Sequence, residues 1–367
     1  MPTIKKTSSS NKDTQLLSVF TSHFSNHLNL ARIRLICLFI QALCKVKSVN
    51  LTKIAVGFDL FAKESSNYRR LQRFFQQVHL PAELIATLIF SLLPNKERLV
   101  LVIDRTNWQF GTKDINILML GVSYKNVAFP LLFSMLDKKG NSNTDERIKL
   151  LQKFIQLFGK ECIDCLLADR EFIGEDWLNF LNGNNIRYYI RIRNNFQLYC
   201  PRKQKKINVS HLFNNLKIGQ IRHHYKIVKI NGQYCYVSAI KTLNEKGIDF
   251  CIVISFNKPE ESLSYYAQRW QIETLFRAFK SSGFNLEETH LKHAERLEKL
   301  ILLVMIAFVW CYKIGDFIDK EIKQIPLKKH GRRVKSIFRV GLDYLSQWLL
   351  TSVNILEINL IKFLSCT

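Results

Sequence analysis

Two short apolar runs, RLVLVID and CIDCLLAD, each finish on an aspartate, Asp104 and Asp169. Runs this short and this rich in Val, Leu and Ile read as buried strands, because a helix needs a longer periodic pattern to bury one face. Between them lie two more strand-like runs, INILMLGVSYKN and VAFPLLFSMLDKKG, and an amphipathic helix over 142–158. Thr144 is the cap read for that helix, with Arg147 standing where a capping-box acid would be. A helix, GEDWLNFLNG, and a strand, RYYIRIRN, follow Asp169. Consecutive strands followed by alternating helix and strand predict an α/β sheet with a mixed edge. Both aspartates then end strands, at one edge of that sheet.

The flanks have a different texture. The first dozen residues, rich in Ser, Thr and Lys, read as a loose tail. Residues 14–95 carry apolar residues at helical spacing, with Asn29 capping NLARIRLICLFIQALCKV and Asn50 opening a short helix. A third helix begins near Ser65 or Ser66. On it Arg69, Arg70 and Arg73 share one side, and Leu71, Phe74 and Phe75 lie towards the other. A basic face on a short helix that follows another short helix is what helix-turn-helix DNA readers present. PAELIATLIFSLLP closes this region at Pro94. Residues 195–249 alternate polar and apolar side chains around Asn231-Gly232, a hairpin signal, and predict a β-rich insertion. FCIVISF then returns to the main sheet, and helices fill the rest. Three domains are expected: 1–95, helical and DNA-binding; 96–285, the sheet with its insertion; and 286–367, helical.

Charge points to the partner. Lys and Arg number 54 against 30 acids, a formal charge of +24. Such an excess favours a polyanion, most often nucleic acid. Hydrophobic content of 47% excludes a disordered chain. The nine cysteines include one close pair, Cys162 and Cys165, without a second pair to complete a zinc site. Buried free thiols in a reducing cytoplasm are expected. The most apolar run, 300–312, is too short to span a bilayer and reads as a buried helix, so no membrane is expected. No glycine-rich phosphate loop indicates ATP use.

The sharpest pattern lies in YYAQRWQIETLFRAFKSSGF, where Tyr266, Arg269, Glu273 and Lys280 are spaced Y-x2-R-x3-E-x6-K. On a helix they fall within an arc of roughly 60° along ~20 Å of axis. One face would carry a carboxylate for a metal ion, and two cations and a phenol for a phosphodiester. Asp104, Asp169 and Glu273 together could hold two divalent ions, and hard oxygen ligands favour Mg2+ or Mn2+. Trp108 is expected to pack beside the site. His290 and His293 are expected to meet DNA phosphates or solvent.

In the order of its acids and in this signature, the chain resembles the DDE transposases of bacterial insertion sequences, in the family defined by the YREK signature (insertion-sequence family four). The likeness covers nearly the whole chain: YRRLQRFF, VIDRTNW, LLADREFIG, the β insertion and the complete signature. The resemblance implies an RNase H-like core, with Asp104, Asp169 and Glu273 as metal ligands for two ions. It also implies cutting at terminal inverted repeats, attack of the freed 3′-hydroxyl on target DNA, and a homodimer during synapsis. Tyr266, Arg269 and Lys280 would grip phosphates and bases beside the cut. A bacterial, nucleoid-associated cytoplasmic protein is implied. Members that cut through a hairpin stack a flipped base on a tryptophan in the insertion. This chain has none between Trp177 and Trp270, and Tyr234 or Tyr236 could substitute. The same acids would also serve a metal-dependent nuclease without strand transfer, and a domesticated copy would bind DNA without cutting it.

Overall fold

The computed structural model describes residues 7–58, 62–200, 204–245, 247–329, 331–351 and 358–365. Five helices come first: α1 (Thr7–Phe24), α2 (Leu30–Val46), α3 (Leu51–Val56), α4 (Glu64–Gln77) and α5 (Ala82–Ser91). Strands β1 (Leu99–Phe110), β2 (Lys113–Tyr124) and β3 (Val127–Met135) precede α6 (Thr144–Phe158), β4 (Ile163–Ala168), α7 (Glu175–Gly183) and β5 (Tyr188–Ile192). The insertion holds β6 (Gln197–Cys200), β7 (Lys205–Asn208), β8 (Ile221–Ile230) and β9 (Gln233–Asn244), and β10 (Gly247–Ser255) follows with FCIVISF. Among the described residues, four α-helices follow: α8 (Ser262–Ala267), α9 (Gln271–Phe279), α10 (Ala294–Phe317) and α11 (Ile337–Leu350).

Two compact units divide these elements. One comprises 1–94, 108–113 and 276–367; the other comprises 95–107 and 114–275. The second unit is built on a sheet ordered β3-β2-β1-β4-β5-β10-β9-β8. Its β1, β4 and β5 run parallel, and β2–β3 and β5–β10–β9–β8 pair antiparallel. This is the mixed α/β sheet of an RNase H-like core. The insertion lengthens that sheet. Ile252 of β10 pairs with Ile192 of β5, so FCIVISF returns to the main sheet as expected, the β8–β9 hairpin joins the sheet beyond it, and among the described strands β6 and β7 stand apart as a small sheet. Asn231 (φ 45°) and Gly232 (φ 75°) make the expected left-handed two-residue turn.

Several local expectations change. β1 does not stop at its acid: it runs on to Phe110, placing Asp104 mid-strand. The pairing with β4, which ends at Ile103 and Ala168, is what ends beside Asp104. The cap of α6 is Asn143, in a full capping box with Glu146. Taking Thr144 as the cap shifts the register by one and hides the acid. Helix α1 starts at Thr7, inside the supposed tail, where Lys12 donates to the Trp348 and Thr351 carbonyls at 2.7 and 3.1 Å.

In the first unit, Asn29 and Asn50 cap α2 and α3 as expected, accepting from Arg32 N–H and from Thr52 and Lys53 N–H. The core helix is α10. With its π-helical extension to Ile322 it is long and apolar enough to cross a membrane, which corrects the expectation from 300–312, yet 83% of its apolar window is buried. It packs on α11 through two glycines. A Cβ at Gly341 would run into the Cys311 carbonyl oxygen, and one at Gly315 into that of Ile337. The described cysteines are all free thiols, and Cys44 and Cys311 lie 3.9 Å apart in this core. His330 and residues 352–357 of the C-terminal region lie outside the described residues.

Candidate active site

The acids begin with the sheet. Ile103 pairs with Ala168 across the parallel β1–β4 ladder, so Asp104 and Asp169 follow paired residues on neighbouring strands. Strands so paired lie about 4.8 Å apart. Each aspartate accepts the next residue's backbone N–H: Arg105 to Asp104 Oδ1 at 2.8 Å and Arg170 to Asp169 Oδ1 at 2.7 Å. The shared Asp-Arg sequence thus gives both carboxylates the same local tether.

The third acid arrives on a helical path, but not on the single α-helix that the spacing predicts. Tyr266 lies on α8, Arg269 in a 3-10 turn over Gln268–Trp270, Glu273 in the first turn of α9, and Lys280 just past its end. The 3-10 turn winds more tightly than an α-helix and re-aims the residues on either side of it. Its flanks are fixed by Ser123 of β2, whose hydroxyl lies 3.1 Å from Gln268 Oε1 and 2.9 Å from Gln271 Oε1. Helix α8 is tied to the sheet by Tyr265, which donates to Asp164 at 3.0 Å and stacks on Tyr189. Arg187 joins Asp164 to Glu261 beneath it.

This path brings Arg269 between two of the acids. Its guanidinium donates to Asp104 Oδ2 at 2.8 Å and to Glu273 Oε1 at 2.6 Å. Tyr266 donates its hydroxyl to Asp169 Oδ1 at 3.2 Å, and the Arg269 guanidinium lies 5.9 Å from the Tyr266 ring. Five of the expected site residues therefore form one set: Asp104, Asp169, Glu273, Arg269 and Tyr266. Burial acts on the ionisation of Asp104 and Arg269. Removal from water pushes Asp104 up to about 6, against the opposing pull of Arg269 and the Arg105 N–H, with the charges of Asp169 and Glu171 adding to the rise. Burial also works against the charge on Arg269, but Tyr266, Asp104 and Glu273 outweigh it and hold the guanidinium firmly protonated.

The set has the chemistry for hard divalent ions, with three carboxylates on rigid elements. Its oxygens, however, are engaged by Arg269 and Tyr266, and among the described residues no group of three or more His, Cys, Asp or Glu side chains converges closely enough to hold a metal ion.

Sequence reasoning missed a supporting pair. Arg105 reaches Glu171 at 3.3 Å, Asn116 at 3.0 Å and Asn141 at 3.2 Å, locking the segment that follows Asp104. The signal was present in the repeated Asp-Arg of VIDR and LADRE.

The remaining candidates belong to the other unit or to the insertion. Lys280 pairs with Glu287 at 2.9 Å, and its ammonium lies 5.4 Å from the ring of Trp108, which is buried as expected. In the same unit an open groove of about 880 Å³ is lined by Arg69, Arg73, Gln72, Gln76, His290 and Arg296, among others. Arg70 is half-buried and does not line it. His293 caps the backbone of α10, and His290 meets the ring of Phe110 edge-on. In the insertion, Tyr234 is 67% exposed with Lys229 above its ring, and Tyr236 is half-buried. A cleft nearby, of about 590 Å³, is lined by Arg193, Lys206, Lys229, Phe196 and Tyr199.

No curated protein matches the chain. Residues 95–310, more than half its length, match the family profile for the transposase DDE domain, a span that takes in all three acids and the Y-x2-R-x3-E-x6-K residues. The chain therefore belongs to the DDE transposase-domain family.

Proposed function

We propose that this transposase binds the terminal inverted repeats of its own insertion sequence, cuts the ends, and joins the freed 3′-hydroxyls to target DNA, as a member of the YREK-signature family. The observation that carries this reading is the Asp104–Arg269–Glu273 bridge beside Asp169 and Tyr266. It draws three acids and two of the signature's DNA-contacting residues into one cluster.

Asp104, Asp169 and Glu273 would hold two Mg2+ or Mn2+ ions. Such a pair activates the attacking water or 3′-hydroxyl and stabilises the leaving oxygen. The chain's own residues do the rest. Arg269, a planar fork of donors, is suited to a phosphodiester in bidentate geometry. The Tyr266 hydroxyl orients Asp169 and can donate to the same phosphate. Lys280 supplies a point charge to the DNA strand. Arg69 and Arg73, with Gln72 and Gln76 on the same groove, suit end recognition, because arginines take phosphates and guanines while amides read adenines. Arg70, half-buried, would support that helix. Tyr234 offers an exposed ring for an unstacked base. Two ends must be held while each is cut, so the working unit is at least a homodimer, acting on cytoplasmic, nucleoid DNA.

The test is a labelled duplex carrying the element's terminal repeat, incubated with full-length protein and Mg2+ beside the Glu273→Ala protein. Nicking at the repeat boundary and joining to a second duplex, both lost in the variant, is the expected result. Nicking that ignores the repeat would favour a nuclease without strand transfer; specific binding without cleavage under Mg2+ or Mn2+ would favour a domesticated, non-catalytic copy.

A further inference from the structure

We propose that Arg269 is a placeholder cation: it bridges Asp104 and Glu273 until a DNA phosphate draws its guanidinium away, and this exchange couples divalent-ion binding to DNA binding. The inference rests on the metal role of the acids proposed above, and goes beyond it in making Arg269 a positioning residue that acts on the acids as well as a DNA contact.

The geometry is specific. The guanidinium spends one nitrogen on each acid, at 2.8 Å to Asp104 Oδ2 and 2.6 Å to Glu273 Oε1, and its side chain is only 8% exposed. The other Asp104 oxygen is held by the Arg105 N–H at 2.8 Å. Both oxygens of the first acid are therefore engaged, one by a full positive charge. A divalent ion entering against those carboxylates would meet the guanidinium at close range in a partly dry site, where like charges repel strongly. One of the two cations has to leave the shared oxygens.

Arg269 cannot yield by losing its proton. An arginine stays charged in proteins, and its neighbours here reinforce that charge. It must move, and a buried guanidinium moves only to another anion. A phosphodiester offers two oxygens in the fork geometry that a guanidinium matches. The side chain is placed for such a swing. It projects from the 3-10 turn between α8 and α9, flanked by the rings of Tyr266 and Trp270 at 5.9 and 6.0 Å, and Trp270 is 57% exposed. Tyr266 makes the contrast: its neutral hydroxyl brings no positive charge to Asp169, so an ion there displaces no cation.

Coupling of this kind is reciprocal. DNA should tighten ion binding by the factor by which the ion tightens DNA binding. Without DNA, the bridge should hold the acids assembled yet poor in affinity for ions, which restrains cutting away from a bound substrate.

The experiment is a titration of Mn2+ alone, read as free Mn2+ by electron paramagnetic resonance, into full-length protein with and without a terminal-repeat duplex. In wild type, DNA should raise Mn2+ affinity by about tenfold, within the usual span of site-to-site couplings. Arg269→Gln should bind Mn2+ about tenfold more tightly than wild type without DNA, and DNA should then add less than about twofold. A folded Arg269→Gln protein with unchanged or weaker DNA-free affinity overturns the inference. Should that variant fail to fold, Arg269→Lys serves instead, because a single ammonium is a poor bridge between two carboxylates and should relieve the same competition; an Arg269→Lys protein with wild-type affinity and coupling also overturns it. Asp104→Asn separates the two levels. Mn2+ binding that survives Asp104→Asn refutes the metal role of the acids, whereas binding lost there but untouched in the Arg269 variants refutes the placeholder alone.

Discussion

Arginine serves two regions of this molecule in opposite states. In the unit that carries the acids, Arg269, Arg105 and Arg187 are buried or nearly so, and each is matched to carboxylates of the chain itself. In the groove of the other unit, Arg69 and Arg73 are exposed on α4, and neither they nor Arg296 form an ion pair with any described residue. The first set costs desolvation that only well-placed anions offset. The second keeps its charge hydrated and available, as a surface that binds an external polyanion by releasing counterions requires. On the proposed function, the first set organises the acids and the second captures DNA. Substitutions in the two regions should fail in different assays.

The largest effect belongs to the acids. Asp104→Ala, Asp169→Ala or Glu273→Ala should each reduce end cleavage by at least about a thousandfold, as removal of one member of a cooperating set does. Binding of the terminal-repeat duplex, followed by fluorescence anisotropy, should change by less than about threefold, because the groove cations are untouched. Loss of binding in step with cleavage would erase the distinction drawn above and make these acids structural.

The reverse should hold in the groove. Arg69→Ala combined with Arg73→Ala should weaken duplex binding by about ten- to a hundredfold at low salt, and should make the salt dependence shallower by about one unit for each phosphate left without its arginine. Cleavage at saturating DNA should stay within about threefold. Unchanged binding and an unchanged slope would reassign α4 to packing.

How much of this was legible beforehand follows the distance along the chain over which a residue finds its neighbours. The buried strands, Asp169 at the end of β4, the caps at Asn29 and Asn50 and the Asn231-Gly232 turn rest on neighbours a few residues away, and local pattern found them. The bridge from Arg269 to Asp104 joins residues 165 positions apart, and helical spacing shows only the Glu273 half of it. The same limit explains the tail assigned to residues that form α1, whose Lys12 reaches acceptors 336 and 339 positions away. It explains the insertion as well: FCIVISF was read as returning to the main sheet, but only the β10–β9 and β9–β8 registers show that the hairpin before it lengthens that sheet. The 3-10 turn at Gln268–Trp270 was hidden for another reason. Its fixed flanks depend on Ser123, on a strand that no periodicity links to it.

Substitution at the α10–α11 crossing should be intermediate in size and fall on stability. A methyl at Gly341 meets the Cys311 carbonyl oxygen, with Gly315 close behind, so Gly341→Ala must separate two well-packed helices. Overpacking of this kind costs about 1–3 kcal/mol. A lower melting temperature with normal duplex binding in the cold is expected. A melting curve identical to wild type would mean that the crossing relaxes without cost.

The smallest effect on stability should come from Asp343, the carboxylate that three cations of the groove-bearing unit share. Asp343 of α11 accepts from Lys47 at 2.8 Å, Lys335 at 3.1 Å and Arg339 at 3.3 Å, and is 27% exposed. Burial tends to raise its pKa, but hydrogen bonds from Lys47 and Lys335 and the charges of Lys47 and Arg339 prevail and lower it. A carboxyl lowered in the folded state contributes stability above its unfolded pKa of about 3.9, and that contribution fades as pH falls through the folded value. Asp343→Asn should therefore cost no more than about 1 kcal/mol at neutral pH, as part-exposed ion pairs do, and the difference from wild type should shrink below about pH 4. These three cations share a unit with Arg69 and Arg73 and carry the same charge, yet their carboxylate already satisfies them. If pairing is what separates structural cations from DNA-binding ones, releasing them should let them take phosphates of the terminal-repeat duplex, each newly engaged phosphate adding about one unit to the salt slope. An unchanged slope in Asp343→Asn would show that place on the surface, and not the absence of a partner, selects the cations that meet DNA.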